Sequence, residues 1–222
     1  MTPFSEIYAI AARRKGGEAA LGAELPVPKD ADALAAVADD RYLSLMSLRA
    51  FRAGLRHALV DAKWPAFEEV FQGFDPYRVR AMPDEALEGL MGEKRIIRHW
   101  GKIKAVRDNA AALIAISEEA GGFGRYLADW PESTIMALWR ELGRRFSQMG
   151  GNSAPYFLRM AGKDTFLLTD DVVRALIRED VITRKPTTRD ARAAVEAAFN
   201  RWADESGRPL CQISRILAAS VD

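Results

Sequence analysis

The sequence is poor in the residues that build staples and metal cages. Its 222 residues include one cysteine, Cys211, and two histidines, His57 and His99. A lone cysteine excludes an intramolecular disulfide, and with it a secreted disulfide scaffold. One cysteine and two histidines cannot supply the four ligands of a tetrahedral Cys/His zinc site. No apolar run approaches the roughly 18 residues of a membrane span. The opening MTPFSEIYAIAARRKGG has neither a long apolar core nor a small-residue cleavage site, which argues against a secretory signal. The expectation is a soluble, cytoplasmic protein with no membrane partner. A large excess of one charge is missing too: Lys+Arg 32 stand against Asp+Glu 31, for a net charge of +1. That argues against wholesale coating of nucleic acid and leaves room for a local basic patch. A chain of this length buries about 70% of its unfolded surface and needs no staple.

What the sequence does have is helical periodicity. Leu48, Phe51, Leu55 and Leu59 recur at intervals of three and four residues. So do Ile103, Val106, Ala110 and Leu113, then Ile135, Leu138, Leu142 and Phe146, then Ala191, Val195, Phe199 and Trp202. This is the 3.6-residue period of amphipathic helices. No segment keeps a two-residue alternation, and the short apolar stretch 165–169 reads as a buried loop entering a helix. The punctuation agrees. Asp75 caps a helix with Pro76 at its first position, and Pro83-Asp84-Glu85 opens another. Gly121-Gly122 closes a long helix starting near Lys102. Trp130-Pro131-Glu132 starts a further one, and Thr169 caps a helix with Asp170 and Asp171 in its first turn. Loops are expected at 23–32 and 183–188. The fold class is all-α.

Three constellations could carry chemistry. The first is a helix–hairpin–helix over about 134–162, with helices 134–146 and 153–160 joined by a turn at 147–152. Backbone N–H groups at such a turn and at the next helix N-terminus suit a phosphate oxygen. Arg144, Arg145, Gly150, Gly151, Asn152 and Ser153 are the candidate contacts to the DNA backbone; the alternative is an ordinary helical hairpin with a glycine turn. The second is the basic segment 94–107, which serves either as a further phosphate-attracting surface or as a solvated helix face. The third is a single helix over 42–63. There Arg49, Ala53 and His57 stand at i, i+4 and i+8 on one face, and His57 with Asp61 forms either a general-base pair or a surface pair.

Several strings together resemble a family. They are Phe74-Asp75-Pro76, Val79, Ala81-Met82, Ile96-Ile97-Arg98-His99, Gly101-Lys102-Ile103 and Asn109-Ala110, preceded by Ala53-Gly54-Leu55. Gly150-Gly151, Tyr156-Phe157-Leu158, Asp170 and Val172-Val173 follow in order. The pattern, over residues 41–177, is similar to 3-methyladenine DNA glycosylase I (the Tag type) of the helix–hairpin–helix glycosylase superfamily. The resemblance implies a glycosylase-like helical bundle over residues 1–178, with 179–222 as appended helices packed on it. It implies a monomeric base-excision-repair enzyme that binds duplex DNA, flips out a methylated purine of the 3-methyladenine type and hydrolyses its N-glycosidic bond without a cofactor. The base pocket it implies comprises Tyr8, Arg49, Ala53, His57, Trp64 and Trp100, with core packing as the alternative for Tyr8, Trp64 and Trp100. Asp170 is the candidate catalytic carboxylate, one residue beyond the superfamily's aspartate position at Thr169; helix capping explains the same residue.

The chain departs from the family's pattern where the pocket should be. The family's pocket carboxylate falls on Arg49, which repels a cationic base by several kcal/mol at a few ångströms and an effective dielectric of about 20. The adjacent glutamine becomes Arg52, and a pocket tryptophan becomes His57. The family's zinc clasp is absent, its C-terminal histidine falling on Asp171, so no metal is expected. The alternatives are therefore a non-catalytic DNA-binding or lesion-sensing homologue, or a glycosylase of altered lesion specificity. Arg49 paired to a carboxylate would support the non-catalytic reading.

Overall fold

A computed structural model describes residues 2–221, and no strand occurs among them. The all-α expectation holds. The first helices are α1 (Phe4–Lys15), α2 (Glu18–Ala23), α3 (Ala31–Ala35), α4 (Asp39–Arg52) and α5 (His57–Val70). Next come α6 (Pro76–Arg80), α7 (Asp84–Gly89), α8 (Trp100–Ala120) and α9 (Phe123–Asp129). The hairpin pair is α10 (Ile135–Arg145) and α11 (Ser153–Ala161), followed by α12 (Asp170–Arg178), α13 (Arg189–Ser206) and α14 (Leu210–Ala219).

The expected punctuation is present. The Asp75 carboxylate accepts from the N–H groups of Tyr77 and Arg78, with Pro76 opening α6. Gly121, at φ 74°, ends α8 in the left-handed conformation that glycine adopts without steric cost. Thr169 Oγ1 accepts from Val172 N at 3.3 Å and caps α12. Residues 163–169 form the loop before it, with Thr165 and Phe166 buried.

One expected helix is two. Residues 42–63 do not run as a single helix: α4 stops at Arg52, and Gly54 at φ 77° turns the chain before α5 starts at His57. The apparent periodicity through Leu55 and Leu59 is therefore not a buried stripe. Both side chains are solvent-facing, at 39% and 51% exposure. For the same reason Arg49, Ala53 and His57 do not share a helix face.

The chain divides into two compact units. One comprises residues 1–29, 131–137 and 164–222; the other comprises 30–130 and 138–163. In the first, α12, α13 and α14 pack with α1 around Ile7, Val172, Leu176, Trp202, Ile213 and Leu217. Phe166 stacks on Phe199 at 3.9 Å, and the Asp164 carboxylate accepts from the N–H groups of Leu210 and Cys211 to cap α14. In the second, α4 packs on α8 and α11 over Met46, Phe51, Leu113, Ile114 and Phe157.

Candidate DNA-binding and base-binding site

The second unit carries a hairpin and a cleft. The hairpin turn lies between Arg145 and Ser153, with Met149 buried beneath it. Gly143 packs against the turn, where an added Cβ would lie 3.4 Å from the Met149 carbonyl oxygen, an ordinary van der Waals contact. The carboxamide of Asn109, buried on α8, fastens the turn from below. Its Oδ1 accepts from Ser147 N at 2.7 Å and its Nδ2 donates to Ser147 O at 3.0 Å. Gly151 then takes φ 60°, and Asn152 precedes α11 without making a side-chain cap. At the start of α11 the Ser153 N–H donates to Gly150 O at 3.1 Å and Pro155 has no N–H, so the donors available to a ligand are those of the turn itself. This makes the exposed turn 150–152 a donor-rich edge suited to an anion. Ser153 itself is buried.

The arginines beside this edge are not free. Glu141 accepts from Arg144 Nη2 at 2.9 Å and pairs with Arg145 Nε at 3.0 Å. Hydrogen bonding to Glu141 raises the Arg144 guanidinium pKa. Two arginines of the basic segment 94–107 are likewise paired. Arg95 pairs with Glu69 and Glu93, and Arg107 pairs with Asp84 at 2.7 Å. Lys102 is buried.

The cleft, of about 500 Å3, is lined by residues 52–57, Arg49 and Tyr156. Lys102 on α8 fixes its floor. Its ammonium donates to Ala53 O at 2.7 Å and Phe51 O at 3.4 Å, supplying the carbonyls that α4 leaves unpaired at its end. Burial, and then the nearby Arg49 charge, lower the Lys102 pKa. The Arg49 guanidinium lies over the Tyr156 ring at 4.7 Å, a cation–π contact. Its Nε is buried without a hydrogen-bond partner, and it forms no ion pair among the described residues. Burial lowers its pKa, Tyr156 opposes that shift, and Arg52 adds to it. No carboxylate lines the cleft. Asp61 pairs instead with Arg52 Nε at 2.8 Å, so the expected His57–Asp61 hydrogen bond does not form. Arg56 and His57 are exposed at the mouth, where α5 begins without a side-chain cap.

The remaining candidates lie apart from this lining. Trp64 stacks on Phe67 at 4.8 Å and Phe74 at 5.4 Å, and its Nε1 donates to Ser44 Oγ. Trp100 is 40% exposed at the start of α8. Tyr8 and Asp170 belong to the first unit. The Tyr8 ring is covered by Arg208 at 4.7 Å. Asp170 is exposed in the first turn of α12, and its neighbour Asp171 pairs with Arg174. Sequence reasoning did not assign Tyr156, Leu55, Lys102 or Glu141 to the site. The glycine at 54 was the available signal for Leu55, since a helix broken there exposes the residue that follows.

The methyladenine glycosylase family model matches residues 33–149, more than half of the chain. The chain belongs to the methyladenine glycosylase family. The DNA-3-methyladenine glycosylase 1 of Escherichia coli (strain K12) is 34% identical over 83 residues, 37% of this chain. That match spans 44% of the relative, less than half of its length. A crystal structure of 3-methyladenine DNA glycosylase I (TAG) superposes with a TM-score of 0.50 at 25% identity, covering 63% of this chain and 83% of that one. The Methanocaldococcus jannaschii 8-oxoguanine glycosylase/lyase, solved with a 15mer DNA containing 8-oxoguanine, aligns over 96% of this chain and 95% of its own. Its TM-score is 0.51 at 14% identity, a likeness of fold. Within this family the chain does not fit a zinc clasp. No group of three or more His, Cys, Asp or Glu residues gathers among the described residues. Cys211 is buried in α14.

Proposed function

We propose that the protein is a monomeric, cytoplasmic base-excision-repair DNA glycosylase. It flips a methylated purine of the 3-methyladenine type out of duplex DNA and hydrolyses the bond between C1′ and the base. The observation that carries this reading is the double use of α11. The helix begins at the donor-rich hairpin turn and, one turn later, lines the cleft with Tyr156. A phosphate held at the first place sets the register of a nucleotide at the second.

The chemistry asks little of acid catalysis. An N3-methylated adenine carries positive charge on the DNA and departs as a neutral base, so the bond is already weak. The protein has to flip the nucleotide and hold it. Flipping costs a few kcal/mol, least for a damaged base. Leu55, exposed on the loop after the left-handed Gly54, is the apolar side chain able to fill the space the base vacates.

The test is incubation of the full chain with duplex DNA treated with a methylating agent, followed by chromatography of the released bases. Release of 3-methyladenine above the spontaneous rate supports the reading. Tight duplex binding with no release of any base from this DNA would overturn 3-methyladenine as the substrate. The geometry does not favour a non-catalytic lesion sensor, because no carboxylate pairs with Arg49.

A further inference from the structure

A base pocket for a cation should hold a negative charge, and this cleft has none. Its charged lining is Arg49, Arg52 and Arg56, with Lys102 buried behind it. Asp61, the acid of the 52–61 segment, is consumed by Arg52. Arg49 is held in place by the Tyr156 ring and keeps a buried Nε donor with nothing to donate to. An arginine fork matches the O6 and N7 acceptors of a purine edge. A base that is neutral on DNA behaves differently from a methylated cation when it leaves. The C1′–N9 electron pair goes to the base, which departs with negative charge until it takes a proton. Water delivers its hydroxyl to C1′ and its remaining proton to the base. Fixed cations at the base therefore stabilise the transition state more than the ground state, which is the condition for catalysis.

Resting on the glycosylase reading above, we infer that the Arg49–Tyr156 cleft takes an uncharged 6-oxopurine, with Arg49 binding the O6/N7 edge and neutralising the departing base. Hypoxanthine is the simplest such base. Intact guanine carries the same edge, but it is held in a three-hydrogen-bond pair and costs more to flip than hypoxanthine opposite thymine.

The experiment compares the full chain with Arg49→Glu and Arg49→Gln on two substrates: a duplex with one hypoxanthine opposite thymine, and methylated duplex DNA. Unmodified guanine opposite cytosine serves as the control, and duplex affinity and thermal melting report folding. The expected result is hypoxanthine release by the natural chain, reduced about 100-fold or more in both variants. Arg49→Glu should at the same time raise 3-methyladenine release. If the natural chain releases 3-methyladenine and no hypoxanthine, the inference fails and the glycosylase reading stands. If folded, DNA-binding proteins of all three kinds release no base, the glycosylase reading fails and takes the inference with it. Equal hypoxanthine release by the natural chain and Arg49→Gln would also overturn the role given to Arg49.

Discussion

Single side chains set the geometry of this site through buried hydrogen bonds. Asn109 is the clearest case, because both ends of its carboxamide are spent on Ser147. Asn109→Ala leaves the Ser147 N–H and C=O without those partners, and should destabilise the fold by about 1–3 kcal/mol. Amide exchange at Ser147 should quicken, and duplex affinity should fall along with stability. Protection equal to that of the natural chain would show that the turn holds itself. Tyr42 makes a prediction in pH. Its hydroxyl donates to Leu34 O at 2.8 Å, and burial, with Asp39 nearby, pushes its pKa up to about 12 from 10.0. The folded chain therefore holds the phenolic proton more tightly than the unfolded one. The stability contributed is complete below pH 10 and is lost between about 10 and 12, by up to about 2–3 kcal/mol. Lys102 pulls the other way up to its unfolded pKa of 10.5, because its folded pKa is lowered. Denaturant midpoints should accordingly drop between about pH 10 and 12 in the natural chain, and drop less in Tyr42→Phe.

At the scale of helices, much of the architecture was legible in the sequence, and the losses have physical causes. The stripes of α8 and α10 were readable because each presents one face to a core; Ile103, Leu113, Leu138 and Leu142 are all fully buried. The caps at Asp75 and Thr169 were readable because capping is local chemistry, decided within four residues. The break between α4 and α5 was hidden because Leu55 and Leu59 continue a helical spacing by chance. Only the left-handed turn at Gly54 and the pull of Lys102 on the carbonyls of Phe51 and Ala53 decide against it. The site suffered most. Tyr156 meets Arg49 from a helix more than a hundred residues away in sequence, and no periodicity reports such a meeting. Close approach is equally silent in the sequence. Gly124 in α9 packs on α3 so tightly that an added Cβ would lie 2.4 Å from Leu34 O and 3.2 Å from Ala35 Cα. Both neighbours are backbone and cannot rotate away. Gly124→Ala should thus lower stability by about 1–3 kcal/mol, in a helix where alanine would otherwise help. An unchanged or raised melting temperature would show that α3 yields.

Across the whole molecule the charges almost cancel, so attraction to DNA has to come from where they fail to cancel locally. With a net charge of +1 the protein has little long-range pull on a polyanion. The arginines beside the hairpin are the obvious source, yet Glu141 holds both Arg144 and Arg145. A phosphate arriving at the turn must either compete with that carboxylate or rely on the backbone N–H groups of residues 150–152. Each phosphate that a cation neutralises contributes about −0.9 to the slope of log affinity against log salt. Backbone donors bind the same oxygen without neutralising it. The natural chain should therefore show a shallow salt slope for a duplex-binding protein. Glu141→Gln keeps the size of the side chain and removes its charge, which releases Arg144 and leaves Arg145 with the 4.0 Å pair to Glu119. The expected result is tighter duplex binding at low salt and a slope steeper by about one to two units, measured by titration at several salt concentrations. The gain should shrink as salt rises, since free arginines lose counterion-release energy faster than the backbone edge does. An unchanged slope with unchanged affinity would mean that Arg144 and Arg145 lie outside the duplex contact. The backbone donors of the turn would then carry the hairpin's share of the binding.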